Sequence, residues 1–139
     1  MRILVLGILI LIIGCSTQPY TQGEILYKNF CSNCHMEDGK GLGRLIPPLA
    51  DADYLINHQE HIACIIRYGL KGEIYVNGQF FNQEMPGEKA LSDFEINNII
   101  NYINHSWGNE IGFKKLPETQ IELEKCDSLK IFFSEHIRQ

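Results

Sequence analysis

The chain has 139 residues, the size of one small domain, and 45% of them are hydrophobic, which is enough for a single packed core. Its formal net charge of -5 argues against nucleic-acid binding and gives mild repulsion from anionic membrane surfaces. A partner steered by electrostatics should therefore present a basic patch.

The N-terminus predicts an exported protein. The apolar run Ile3–Ile13 is too short to cross a bilayer, which takes roughly 20 residues, and fits the apolar region of a signal peptide. Its end, "IIGC", resembles the lipobox of bacterial lipoproteins, in which the cysteine is lipidated and the chain is cleaved just before it. This resemblance implies a signal peptide at 1–14, a lipidated Cys15 that begins a tether at 15–22, and a membrane anchor. An ordinary leader with an incidental Cys15 is the alternative.

The residue after that cysteine extends the resemblance. Ser16, rather than aspartate, implies the outer membrane on its periplasmic side by the usual Gram-negative sorting rule. Export would also place the chain where disulfides are permitted.

Helical periodicity recurs along the rest of the chain. Apolar spacing predicts an amphipathic helix over Gly23–Cys34, and glycines and prolines predict an irregular loop over Glu37–Leu55 that turns helical near Asp53. A second helix is predicted over Asn57–Leu70, and "VNGQ" within Lys71–Ala90 predicts a small hairpin. The expected fold is therefore mainly α-helical.

Leu91–Trp107 is the clearest predicted helix. Ser92 is the expected N-cap, and Glu95 three residues later completes a capping box. The expected buried face consists of Phe94, Ile96, Ile99, Ile100 and Ile103.

The sequence "CSNCH" carries the chemistry of the chain. A zinc site needs four ligands, and the chain has no second C-x-x-C pair, while a redox dithiol of the thioredoxin type should follow a strand. The pentapeptide is the attachment signature of a c-type haem, in which Cys31 and Cys34 bond the porphyrin edge and His35 binds the iron. The prediction is one covalent haem c.

Met85 is the expected ligand on the opposite face of the haem. Met1 lies in the leader, and Met36 adjoins His35 on the same side of the ring. Loop packing is the ordinary role of a methionine before a proline, but a haem motif upstream and a capped helix downstream favour ligation here. The rival ligands are His58, His61, His105 and His136.

With these residues in place, the chain resembles the class I mono-haem cytochromes c over Gly23–Trp107. The resemblance implies an all-α, cytochrome c-like fold in which small helices wrap one haem, with the domain at 23–108. It also implies that Gly23 and Tyr27 on the first helix cross the last helix, at counterparts resembling Ile99 and Tyr102.

The same resemblance implies the surroundings of the haem. In "PPL", the Pro47 carbonyl would accept a hydrogen bond from the proximal imidazole, and Leu49 would lie against the ring. Arg67, Tyr75 and Gln79 are the candidates to meet a haem propionate, with exposed loop side chains as the alternative.

The segment 109–139 extends past the end of such domains. Cys64 and Cys126 are the cysteines left over, and a disulfide between them would staple the extension to the helix at Asn57–Leu70. A buried free Cys64 and a mobile tail with a loose thiol are the alternatives.

The predicted function is one-electron transfer by a membrane-tethered periplasmic carrier. His/Met ligation leaves no open iron position, so neither an enzymatic reaction nor a small-molecule substrate is expected, and the partners would be redox proteins. These would be a dehydrogenase or quinol-oxidising complex and a terminal oxidase or reductase. The alternatives are a gas sensor or peroxidase-like enzyme with a displaceable methionine, and a fixed cytochrome subunit that docks through Ile121–Leu123 and Leu129–Phe133.

Overall fold

The computed structural model describes residues 20–126, and within that range helices predominate. The predicted signal peptide, Cys15, His136 and the segment Leu129–Phe133 lie outside the described residues. The helices are α1 (Thr21–Phe30), α2 (Ser32–His35), α3 (Asp53–Asn57), α4 (Ile62–Tyr68), α5 (Asp93–Asn104) and α6 (Leu116–Glu124). The strands are β1 (Gly69–Leu70), β2 (Ile74–Val76), β3 (Gln79–Phe81) and β4 (Met85–Pro86). The all-α prediction with a small hairpin is confirmed.

Helices α1 and α5 cross at a glycine. A Cβ on Gly23 would overlap the carbonyl oxygen of Asn98 and lie 2.7 Å from Cβ of Tyr102. Tyr27, one turn later, is fully buried and packs its ring 5.3 Å from that of Tyr102. The predicted crossing is therefore present, with Asn98 rather than Ile99 against the glycine.

Helix α5 begins at the predicted capping box. The Ser92 hydroxyl accepts a hydrogen bond from the Glu95 backbone, and the Glu95 carboxylate accepts one from the Ser92 N–H at 2.8 Å. Four of the five predicted core residues are buried: Ile96, Ile99, Ile100 and Ile103. The prediction for Phe94 was wrong, because its side chain is 58% exposed.

The helix predicted over Asn57–Leu70 is interrupted. α3 ends at Asn57 and α4 starts only at Ile62. The side-chain amide of Gln59 donates to the Leu55 carbonyl at 2.9 Å, the acceptor that the Gln59 backbone N–H would use in a continuous helix. A side chain therefore takes over a backbone hydrogen bond at the break.

The four short strands form two ladders. β2 and β3 make the predicted hairpin, in which Asn77 and Gly78 both have positive φ, as a type I′ turn requires. The second ladder pairs β1 with β4, so that Leu70 lies opposite Met85. This ladder fixes the backbone that carries the predicted haem ligand.

Residues 109–126, here called the strap, lie along α5. Three asparagines at helical spacing on α5 are buried and donate their side-chain amides to strap oxygen atoms: Asn97 and Asn101 to Lys114 O at 3.1 and 2.9 Å, and Asn104 to Gly112 O at 3.3 Å. Because every such buried amide needs a partner, this stripe specifies where the strap lies.

Charge and covalent bonding also hold the strap. The buried Lys114 ammonium donates to both carboxylate oxygens of Glu122 at 2.8 Å, and Cys64 on α4 forms a disulfide with Cys126. Burial raises the pKa of Glu122 despite the opposing effect of Lys114.

Within residues 20–126, no helix is long and apolar enough to cross a membrane.

Candidate functional site

Two adjoining clefts open between the helices and the loops. The first has a cavity volume of about 90 Å³ and the second about 60 Å³. The first is walled by apolar side chains from α3, α4 and α5: Leu55, Ile62, Ile65, Ile66, Ile99 and Ile103. The helical core thus surrounds a cleft whose walls are apolar.

The "CSNCH" motif lies at the edge of these clefts. Cys31 follows α1 and lines the first cleft, and Cys34, which is exposed, lines the second. The Tyr27 hydroxyl donates to the Met36 carbonyl at 2.6 Å, which ties α2 back to α1. Met36 itself has a φ of 63° and follows directly after the motif.

His35 is held in one tautomer. Its Nδ1 lies 3.1 Å from the Pro47 carbonyl oxygen, which can only accept, so Nδ1 carries the proton and Nε2 keeps its lone pair. Burial lowers the pKa of His35, against the opposing effect of the Pro47 hydrogen bond. The neutral imidazole that results is the form that binds a metal ion.

The surroundings of Cys31 favour its thiol over its thiolate. Burial, and to a smaller extent the charges of Glu88 and Cys34, raises the pKa of Cys31 to about 12. Neither motif cysteine takes part in the disulfide, which joins Cys64 to Cys126.

The loop after the motif brings Pro47 and Leu49 to the cleft. The Gly39 carbonyl accepts from the backbone of Leu49 at 2.7 Å, and the His35 carbonyl accepts from Gly41 at 3.0 Å. Gly41 has a φ of 67°, and a side chain there would overlap the Ile46 carbonyl oxygen. The loop is therefore closed tightly enough to hold the proline next to the imidazole.

Met85 reaches the clefts through its ladder. It is paired with Leu70, and both residues line both clefts, as do His35, Pro47 and Ile74. This ladder was not predicted from the sequence. The sequence feature that indicates it is the pair of glycines Gly69 and Gly87. A side chain on either glycine would overlap the other backbone segment.

Arg67, Tyr75 and Gln79, the candidates for a propionate contact, make contacts with other protein groups. Arg67 bonds Asp93 at 2.7 Å, Tyr75 is 66% exposed and packs edge-on against Phe80, and Gln79 donates to Gly43 O at 3.3 Å. None of the three belongs to the lining of the two clefts that the described residues form.

The histidines within residues 20–126 that rival Met85 as the second iron ligand make other contacts. His58 stacks on Tyr54 with ring centroids 4.2 Å apart, and His105 stacks on Tyr20 at 4.5 Å. His61 precedes α4 and lies 3.8 Å from the Glu60 carboxylate. None of these imidazoles is part of the cleft lining given by residues 20–126.

The side chains at the clefts fit a covalently attached porphyrin. The apolar walls suit the faces of a flat macrocycle, and the two thiols lie at the edge of the clefts. An imidazole nitrogen and a thioether sulfur, from His35 and Met85, are the donor types that haem iron accepts as axial ligands.

Comparisons with known proteins point to the same group. The family model for cytochrome c matches residues 20–107. A cytochrome c-552 of Thermus thermophilus is 33% identical over 128 residues, covering 87% of this chain and 84% of that protein. The cytochrome c subunit of the quinone alcohol dehydrogenase of Gluconobacter oxydans is 34% identical over 90 residues, 63% of this chain but 18% of that protein.

Proposed function

Because this chain belongs to the cytochrome c family and so binds a covalent haem c, we propose that it carries single electrons with His35 and Met85 as the axial iron ligands. Cys31 and Cys34 would hold the porphyrin through thioether bonds. Family membership supports electron transfer as the function. The assignment of His35 and Met85 as the iron ligands is a proposal that goes beyond family membership.

One observation carries the ligand assignment. His35 and Met85 both line the two adjoining clefts, one from α2 and the other from β4. The Pro47 carbonyl accepts a hydrogen bond from Nδ1–H of His35, so Nε2 is the nitrogen that can bind iron.

This ligand pair determines the chemistry. Bound haem supplies a one-electron couple, and a methionine sulfur ligand raises its potential relative to a second histidine. A haem held by His35 and Met85 would have a protein ligand on each face, so no iron position would be left for a substrate. The apolar walls exclude water, and the protein moves electrons without forming or breaking substrate bonds.

The partners and location follow as further parts of the proposal. The lipobox-like "IIGC" supports export and a tether through Cys15, on the periplasmic side of a bacterial outer membrane. The relatives support redox proteins as partners. We propose a dehydrogenase or quinol-oxidising complex on the donor side and a terminal oxidase or reductase on the acceptor side.

A second candidate function is that of a fixed cytochrome subunit within a larger redox complex. The Gluconobacter oxydans relative, whose name gives it as a subunit of an alcohol dehydrogenase, favours it. Size-exclusion chromatography of membrane extracts separates the two: a shuttle elutes alone, and a subunit co-elutes with its complex.

Met85→Ala tests the ligand assignment. We expect the variant to lose the long-wavelength absorption band of a sulfur–ferric iron bond, to lower the reduction potential and to bind carbon monoxide promptly when reduced. Optical redox titration and carbon monoxide difference spectra measure these changes.

Met36→Ala is the matched control, since this methionine adjoins His35 on the proximal side. It should keep the band and the potential of the unaltered protein. An unchanged spectrum and potential in Met85→Ala would exclude Met85 as ligand. Prompt carbon monoxide binding by the unaltered reduced protein would favour a gas sensor or an enzyme instead.

A further inference from the structure

The loop that carries Met85 is closed at its two ends by an ion pair. This methionine loop, residues 69–92, leaves the end of α4 and returns at the start of α5. Arg67 in the last turn of α4 binds the Asp93 carboxylate, the first helical residue of α5, with Nη2 2.7 Å from Oδ1. The pair therefore joins the entry of the loop to its exit.

The ion pair is partly buried, and the start of α5 favours its carboxylate. The Arg67 side chain is 18% exposed and that of Asp93 is 42% exposed, so the pair is only partly screened by water. Asp93 follows the N-cap, where the helix dipole of α5 favours a negative charge. Leu123 and Glu124 of α6, in the strap, line the same surface cleft as the pair.

A continuous set of backbone contacts connects the pair with Met85. The Ile66 carbonyl, next to Arg67, accepts from the Glu88 N–H at 2.8 Å. The backbones at Gly69 and Gly87 touch closely enough to exclude a side chain, and Leu70 pairs with Met85 in the β1–β4 ladder. The position of the end of α4 therefore sets the position of Met85.

We infer that Arg67, through its ion pair with Asp93, is a positioning residue that holds Met85 at the cleft. This inference rests on the proposed function, in which Met85 is an iron ligand. Without the pair, the two ends of the loop separate more often and Met85 leaves the iron for a larger fraction of the time.

Arg67→Met tests the inference, because it removes the charge and keeps an unbranched side chain. The population with Met85 displaced should rise about tenfold, which corresponds to about 1.4 kcal/mol. The apparent carbon monoxide affinity of the reduced protein rises with that population, and the sulfur–iron band of the oxidised protein weakens.

Lys28→Met is the matched control. Lys28 also makes a 2.7 Å ion pair, with Glu24, but the pair is exposed and lies on α1. This variant has the same charge change and should keep the carbon monoxide affinity and the absorption band of the unaltered protein.

Further variants separate positioning from simple loss of stability. Arg67→Lys keeps the charge and should restore most of the band. Asp93→Asn should reproduce the effect of Arg67→Met, and the double variant should add little, as expected for two residues that act through one contact. Asp93→Asn also serves as the test if Arg67→Met does not fold.

Two outcomes would overturn the inference. One is an unchanged band and carbon monoxide affinity in both Arg67→Met and Asp93→Asn. The other is a lower denaturation midpoint in these variants without any change at the iron, which would make the pair merely structural. If Met85→Ala changes the spectrum while Arg67→Met does not, the proposed function stands and only this inference fails.

Discussion

Gly23 lies where α1 meets α5, and its lack of a side chain permits that contact. An added Cβ would overlap a carbonyl oxygen of the α5 backbone, Asn98 O, and would crowd Cβ of Tyr102. A backbone carbonyl inside a helix cannot rotate away, so the two helices would have to move apart. Tyr27, buried one turn later, would lose packing as they moved.

Gly23→Ala should therefore destabilise the protein. Alanine gains about 1 kcal/mol of helix propensity over glycine, whereas overpacking costs typically about 1–3 kcal/mol and sometimes more. We expect a net loss of about 1–2 kcal/mol in the free energy of unfolding, measured by denaturant titration of the haem-loaded protein.

Ile25→Ala, on the exposed side of the same helix, is the control and should change stability by less than about 0.5 kcal/mol. Equal stability of the two variants would show that the helices are not in contact at Gly23.

At this scale, the sequence predicted which glycine and tyrosine enter the crossing but not which residue of α5 meets the glycine. Spacing within a helix is local information. The neighbour across a crossing depends on the angle and rotation of two packed helices, and these placed Asn98 where Ile99 was expected.

The start of α5 is the element for which local sequence was most informative. Glu95 accepts hydrogen bonds from the Ser92 N–H and hydroxyl at 2.8 and 2.7 Å. These bonds favour the carboxylate and hold the pKa of Glu95 below its ordinary value of 4.5. Because the pKa of Glu95 is lower in the folded than in the unfolded protein, its ionised carboxylate stabilises the fold. This stabilisation is fully present above pH 4.5 and is lost as the pH falls through the folded-state pKa.

Glu95→Gln should therefore flatten the acid side of the stability–pH curve. Denaturant titrations at neutral pH and at several values below pH 4.5 should show a smaller loss of stability on acidification than in the unaltered protein. Ser92→Ala, which removes the cap itself, should cost about 1 kcal/mol at neutral pH.

Glu110→Gln, at an exposed carboxyl outside the helices, is the control and should keep the original pH dependence. An unchanged acid limb in Glu95→Gln would mean that the capping box does not contribute to stability in solution.

Periodicity also predicted the existence of α5 but misplaced one residue. At 3.6 residues per turn, Phe94 lies about 200° from Ile96 around the helix, on the side away from the buried isoleucines. Phe94 was assigned to the expected core because it is apolar, but its angular position on the helix places it outside that core. The break before α4 was missed for a different reason, because it depends on the Gln59 side chain bonding the Leu55 carbonyl.

At the scale of the whole molecule, the strap was the least predictable part. Its attachment depends on Asn97, Asn101 and Asn104. Asparagine side chains are mostly exposed in proteins, so the sequence predicts these three at the surface. They are buried because strap backbone atoms satisfy them, and those atoms come from a segment whose path the sequence does not specify. Haem attachment was predictable because the residues of "CSNCH" are contiguous. The β1–β4 ladder was not, because it pairs Met85 with Leu70, which is distant in the chain.

The disulfide adds a long covalent loop to this attachment. It joins α4, whose Ile62, Ile65 and Ile66 line the first cleft, to the strap across a sequence separation of 62 residues. Closing a loop of that length reduces the entropy of the unfolded chain by the equivalent of about 4 kcal/mol, and removal of native disulfides typically costs about 2–5 kcal/mol.

The double variant Cys64→Ser/Cys126→Ser should therefore unfold at a lower denaturant concentration, with about 2–4 kcal/mol less stability in the haem-loaded protein. The single variant Cys64→Ser is the control, because it breaks the same cross-link while it leaves the buried Cys126 in place. Similar losses in the two variants would assign the effect to the cross-link, and a larger loss in the double variant would assign part of it to the second buried hydroxyl. An unchanged unfolding midpoint in the double variant would mean that the amide stripe and Lys114 hold the strap without the disulfide.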